Sequence, residues 1–172
     1  MKNNEHQDDD AFIITVDGTH CRINKRRTQP IAQWYSNKYI KAGLAYELAI
    51  AIHSNNLVWI NGPFPAVQNN LQIWRKEGGL KGKIPANKRV IADKGYQGEP
   101  QISRQNPNDT QEVKEFKKRA RARHESFDGC IKKYKILEEQ FCHGIAKHKA
   151  VFEAVCVIVQ YQMENGHPMF DV

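Results

Sequence analysis

The chain has 172 residues, 40% of them hydrophobic, and a formal charge of +7. That length makes one domain with enough apolar content for a real core, and the basic excess favours a polyanionic partner, most often nucleic acid, although merely soluble basic proteins share the profile. No secretory leader and no apolar run long enough to span a membrane is read, and Cys21, Cys130, Cys142 and Cys156 show no C-x-x-C spacing, so reduced thiols in an intracellular compartment are the expectation.

Residues 1–10 are polar, include Asp8-Asp9-Asp10, and are expected to form a disordered tail before a domain over 11–172. Residues 11–16 predict a buried strand, and 20–24 its hairpin partner. A basic run, Lys25-Arg26-Arg27, precedes an irregular stretch over 28–41. Two apolar runs, 44–52 and 57–60, flank the turn signal Ser54-Asn55-Asn56 and predict a β-hairpin. Asn61-Gly62-Pro63-Phe64-Pro65 is expected to break the sheet, and a helix over 66–76 to end at Gly78-Gly79. Residues 89–92 predict a further strand, and a Pro-, Asn- and Gln-rich loop follows over 97–110. Asp109 or Thr110 then caps a long helix over 111–134, because either side chain accepts from the free N–H groups of a first turn. Gly129 weakens that helix by about 1 kcal/mol relative to Ala. A last helix over 147–163 carries Phe152, Val155, Cys156 and Val159 on one face, which reads as core packing. The order of elements predicts an α/β layer fold.

Three carboxylates stand out from this pattern. Asp17 ends the apolar run Phe12-Ile13-Ile14-Thr15-Val16 and precedes Gly18-Thr19. Asp93 ends Val90-Ile91-Ala92 and precedes Lys94-Gly95-Tyr96. Glu125 lies in the long helix. Two aspartates at strand ends and a glutamate on a later helix suit a two-metal site, since Mg²⁺ prefers carboxylate oxygens and a nuclease holds paired ions roughly 3.5–4 Å apart. An Asp before Gly is equally an ordinary turn residue. Arg121, Glu125 and Lys132 fall at i, i+4 and i+11 on one helical face. That face offers a metal ligand between two cations able to hold DNA phosphates, or simply a solvated helix with an Arg–Glu pair. Asp128, one turn on, is the substitute ligand. His20 and His124 adjoin the proposed ligands and read as packing or phosphate contacts. Residues 111–135 hold nine Lys/Arg against four Asp/Glu, so the positive charge is concentrated here. Cys142-His143 and His148 lack the partners that a four-ligand structural zinc site needs.

Taken together, the motifs Val16-Asp17-Gly18-Thr19-His20, Ala92-Asp93-Lys94-Gly95-Tyr96 and Arg121-x-x-x-Glu125 followed by Lys132 resemble the three catalytic motifs of DDE transposases of the Harbinger/PIF type. The third is also similar to the last three members of the Tyr-Arg-Glu-Lys signature of bacterial insertion-sequence transposases, whose Tyr position falls on Lys118. Many relatives carry a His-Asp pair after a Gly-Pro-rich loop, where this chain reads Asn69-Asn70. The resemblance implies a ribonuclease-H-like fold, with a mixed central sheet flanked by helices. It implies Mg²⁺ or Mn²⁺ held by Asp17, Asp93 and Glu125, and phosphates held by Arg121 and Lys132. The expected activity is endonucleolytic cleavage of DNA phosphodiesters and strand transfer, on transposon ends and target DNA. A homo-oligomer or a separate DNA-binding subunit is an expected partner, because relatives usually have a helical DNA-binding region that is expected to be missing here. The competing reading is an inactive, transposase-derived nucleic-acid-binding module. Location follows as nuclear in a eukaryote, where Lys117-Lys118-Arg119 begins a basic run, and otherwise cytoplasmic.

Overall fold

The computed structural model describes residues 11–24, 31–54 and 56–172. The expected N-terminal tail, the Lys25-Arg26-Arg27 run and the centre of the Ser54-Asn55-Asn56 turn lie outside them. Among the described residues the strands form one six-stranded mixed sheet, the ribonuclease-H-like architecture expected: β1 (Phe12–Arg22), β2 (Tyr35–Ser36), β3 (Lys41–Ala51), β4 (Leu57–Pro65), β5 (Arg89–Ile91) and β6 (Ile102–Ser103). The spatial order is β2-β3-β1-β5-β6, with β4 also paired to β3. The long meander β1–β3–β4 is antiparallel, and β5 joins β1 in parallel through Ile14↔Val90 and Thr15↔Ile91.

Two sequence expectations are corrected in the meander. β1 does not end at Asp17 and turn back. It runs on through Gly18-Thr19 to Arg22, because β3 pairs with it residue for residue from Ile14↔Ala51 to Arg22↔Gly43, and that ladder overrides the local Asp-Gly turn preference. Nor does the Gly-Pro segment break the sheet, since β4 continues to Pro65, with register shifts against β3 and a cis Gly62–Pro63 peptide. Gly62 sits at φ +138°, and a β-carbon there would lie 2.7 Å from the Tyr46 ring, so only glycine passes this point without displacement.

The helices are α1 (Asn70–Trp74), α2 (Gln111–Lys132), α3 (Lys135–Glu138) and α4 (Ile145–Glu164). The expected 66–76 helix shrinks to α1, a single turn closed by a capping box between Asn69 and Gln72. Of the two candidate caps for α2, Thr110 is the one used, its Oγ1 accepting from Val113 N at 3.3 Å. Asp109 is occupied elsewhere, accepting from Lys117 Nζ at 2.8 Å.

Side chains alternate across the sheet, and each face has its own core. On one face α2, α3 and α4 cover Leu44, Tyr46, Leu48 and Ile50 of β3 with Phe127, Ile131, Leu137, Phe152, Val155, Cys156 and Val159. The α4 face read from the sequence is thus buried as expected. Tyr46 anchors the layer, stacking on Phe152 at 3.8 Å and sharing a 2.7 Å hydrogen bond with His148 Nδ1. On the other face, Ile14 and Val16 pack with Trp74, Leu80, Val90, Ala92 and Tyr96. Asp17 is registered with Leu48 and therefore belongs to the α2 side, whereas Gly18 is registered with Glu47 on the α1 side. No helix among the described residues is long and apolar enough to cross a membrane.

Candidate active site

The parallel pairing of β1 and β5 brings Asp17 and Asp93 to one sheet region, and α2 lies across it. Asp17, Asp93, Glu125 and Arg121 line a common small cavity of about 10 Å³, together with Thr15 and His124. The three carboxylates named from the sequence thus share one pocket, although no three His, Cys, Asp or Glu side chains among the described residues stand together as a chelating group. Asp17 Oδ1 accepts from Gly18 N at 2.7 Å, and Asp93 Oδ1 accepts from Gly95 N at 2.7 Å. Asp93 therefore also serves as the cap of the short turn Lys94–Tyr96, so the turn-residue reading holds for it locally.

The electrostatics of Asp17 are informative. Burial, reinforced by the charges of Asp128 and Asp93 and opposed by the Gly18 N–H and Lys38, pushes its carboxyl up to about 6. Such a group lacks enough positive charge nearby to ionise easily, which is the condition a bound cation relieves. The donor set, hard carboxylate oxygens in one pocket, suits Mg²⁺ or Mn²⁺.

Glu125 and Asp128 differ in their partners. Lys132 Nζ approaches Asp128 Oδ2 at 3.5 Å. Burial works against the Lys132 charge, but Asp128 and other neighbours outweigh it and raise its pKa. Glu125 is exposed, and no ion pair among the described residues joins it to Arg121. The helical face read from the sequence is therefore divided. Arg121 borders the Asp93 side, and Lys132 lies with Asp128.

Of the other residues at the site, Asn70 and His124 were noted in the sequence, and Lys38 was not. Lys38, whose pKa is lowered by burial and then by the charge of Lys132, stands near Asp128 and Asp17. Asn70 is wedged between the two aspartate-bearing segments on the α1 side. A β-carbon on Gly18 would meet its Oδ1 at 2.3 Å, and one on Gly95 its Nδ2 at 3.0 Å. His124 is 3% exposed and held neutral, burial pushing its pKa down to about 4. Beside Asp93 a larger cavity of about 330 Å³ is rimmed by Lys94, Arg104, Lys114 and Arg121. Four cations around a groove next to a carboxylate pocket match the charge of a nucleic-acid backbone. Only the last of them was singled out from the sequence. The other three come from separate segments, and folding alone collects them.

A mixed sheet with one acidic residue on β1 and another just past the end of the adjacent parallel β5, crossed by a basic helix bearing a third carboxylate, defines a nuclease-type α/β domain. The chain belongs to the DDE superfamily endonuclease family, whose profile matches residues 16–160 and so spans β1 to α4. No curated protein and no solved structure gives a significant match.

Proposed function

We propose that this chain is the catalytic domain of a metal-dependent DNA endonuclease of the Harbinger/PIF transposase type, cleaving phosphodiester bonds and transferring strands by a two-metal mechanism. The observation that carries the reading is the common pocket of Asp17, Asp93 and Glu125 beside Arg121. Asp17, Asp93 and Glu125 would hold Mg²⁺ or Mn²⁺. When bound, the ions supply activation of the attacking oxygen and stabilisation of the leaving oxygen. Arg121 binds and orients the phosphate entering from the cationic groove, and Lys132 neutralises Asp128 and flanks the other side. Glu125 is favoured over Asp128 as the third ligand because Asp128 already has its counter-charge. The DNA substrates on this reading are element ends and target. A second copy of the chain or a separate DNA-binding subunit would supply end recognition.

A second reading, a non-catalytic nucleic-acid-binding module, is favoured by one observation. The Asp93 carboxylate is engaged in its own turn, accepting from Gly95 N. Nicking of plasmid DNA with Mg²⁺ or Mn²⁺, compared with Asp93→Ala, separates the two. Metal-dependent nicking lost in the variant supports the nuclease. Binding without nicking, or nicking that survives loss of Asp93, removes the catalytic assignment.

A further inference from the structure

We propose that the outer face of α4 is the surface on which a second copy of this chain docks, the two helices packing antiparallel about a two-fold axis. The second copy is the one the proposed function allows for. The surface itself rests on α4 alone, which does not line the carboxylate pocket. α4 is apolar on two sides. Its inner face is buried against the sheet. On the opposite side Ala150, Ala154, Val157, Ile158 and Tyr161 recur at i, i+4, i+7, i+8 and i+11, which is one face at 3.6 residues per turn. All five are exposed, Val157 to 66% and Tyr161 to 65%. A helix at the surface of a monomer turns a polar face outward, and a row of exposed apolar side chains marks an interaction surface.

The charges at the ends of α4 select the occupant. Its first turn carries Lys147 and no acid, and its last turn carries Glu164 and no base. The helix dipole favours the reverse placement, acids at the N-terminus and bases at the C-terminus. An antiparallel copy turns this misfit into a match, because each Lys147 then lies at the negative end of the other helix. A pairing centred between Val155 and Cys156 brings Lys147 level with the partner's Glu164. The same pairing sets Ala150 level with the partner's Tyr161 and Ala154 level with the partner's Val157, a small side chain against a large one each time. A patch that complements itself in this way is what a two-fold interface requires. The apolar row spans roughly 17 Å at 1.5 Å per residue. One helix pair of that length falls in the weak class of interfaces, below about 1,200 Å², so the expected dissociation constant is on the order of 10 µM.

The test is sedimentation velocity of the full 172-residue chain in reducing buffer from low to high micromolar concentration. The expected result is a monomer–dimer equilibrium that is abolished in Val157→Glu/Tyr161→Glu, with the circular dichroism of the wild type retained because both side chains are exposed. Lys147→Glu is expected to weaken the dimer about fivefold, the scale of exposed ion pairs, and Lys147→Glu/Glu164→Lys to restore it. A double variant no tighter than the single one overturns the antiparallel arrangement, and this arm does not depend on the apolar variant folding. A dimer that survives Val157→Glu/Tyr161→Glu puts the interface elsewhere and overturns the proposal. So does a wild type that stays monomeric at every concentration. In that monomer, hydroxyl-radical labelling of Tyr161 assigns the face: resistance shows the chain covering its own helix, and ready labelling leaves it for a different protein. Metal-dependent nicking is read separately. A dimer that does not nick supports this inference while removing the nuclease, and nicking by a strict monomer does the opposite.

Discussion

The Asn70 carboxamide lies against the Cα of Gly18, so near that a β-carbon added to the glycine would sit 2.3 Å from Asn70 Oδ1. On the far side the same carboxamide meets Gly95. One polar side chain thus buttresses the backbones that follow both Asp17 and Asp93, from the sheet face opposite the carboxylate pocket. Gly18→Ala is expected to destabilise the fold by about 1–3 kcal/mol through this overlap. In an Asn70→Ala background the same change should cost much less. Urea denaturation of the four proteins of this cycle measures the coupling, and equal costs in both backgrounds would show that Asn70 is not the obstacle.

Lys117 is 3% exposed, yet its amino group has polar partners. Its Nζ donates to Asp109 Oδ2 at 2.8 Å and to Arg104 O at 3.0 Å, and lies 5.5 Å from the centre of the Phe12 ring. It ties the 104–109 loop, one wall of the cationic groove, to α2. Lys117→Ala should cost about 2 kcal/mol, because it removes the hydrogen bonds to Asp109 and Arg104 O and empties a packed site, whereas Lys117→Met should cost less. Thermal unfolding of both variants separates the two parts, and a Lys117→Met protein as stable as the wild type would show that the ammonium adds nothing.

Glu47 is a carboxyl in the interior, 1% exposed, with Trp59 Nε1 donating to its Oε2 at 3.1 Å and its Oε1 unpartnered. Burial raises its pKa to about 7, opposed by the Trp59 and Asn61 hydrogen bonds. Since the folded value lies above the unfolded one, its contribution to stability is complete below about 4.5 and is lost as pH rises through 7. The fold should therefore weaken between pH 5 and 8 by on the order of 2 kcal/mol from this group, and Glu47→Gln should flatten that slope. Denaturation midpoints at a series of pH values decide it. An unchanged slope in the variant assigns the pH dependence elsewhere.

Asp17 titrates near 6 for the same reason, with Asp128 and Asp93 adding to the effect of burial. On the proposed function it must lose its proton to bind a cation. Mn²⁺ affinity should accordingly fall as pH drops through about 6 and the protons released on binding should increase. Calorimetry in buffers of different ionisation enthalpy counts those protons. A constant affinity from pH 5 to 8 would separate Asp17 from metal binding.

Arg121 borders both the carboxylate pocket and the cationic groove. Arg121→Ala should weaken duplex DNA binding alike on different sequences and lower the salt-dependence slope by about one. Fluorescence anisotropy across a salt series measures it, and an unchanged slope would place Arg121 off the phosphate path.

How much of this was legible before folding depends on the range of the interactions. The α4 core face, the β3–β4 hairpin and the three motif carboxylates follow from local pattern, because periodicity and turn residues act over a few positions. The extent of β1 does not. Asp17-Gly18 carries a turn signal locally, and only the ladder to β3 keeps it extended. The same holds for Gly62-Pro63, which a bulged partner accommodates. The supporting residues were hidden more deeply. Nothing near His124 in sequence announces Thr15, 109 positions away, and the Lys94, Arg104 and Lys114 rim exists only once three segments meet.

The parallel register of β1 with β5 also fixes when the site comes into being. Ile14 and Val90 are about 75 residues apart, and closing so long a loop is paid in chain entropy before any contact rewards it, whereas β3 and β4 are joined through a short turn. A growing chain can form the β1–β3–β4 meander well before Asp93 is synthesised, and α2 with Glu125 follows later still. The expected order is therefore the meander first and the carboxylate pocket last, and pulsed hydrogen exchange that protects Val90 before Leu48 would contradict it.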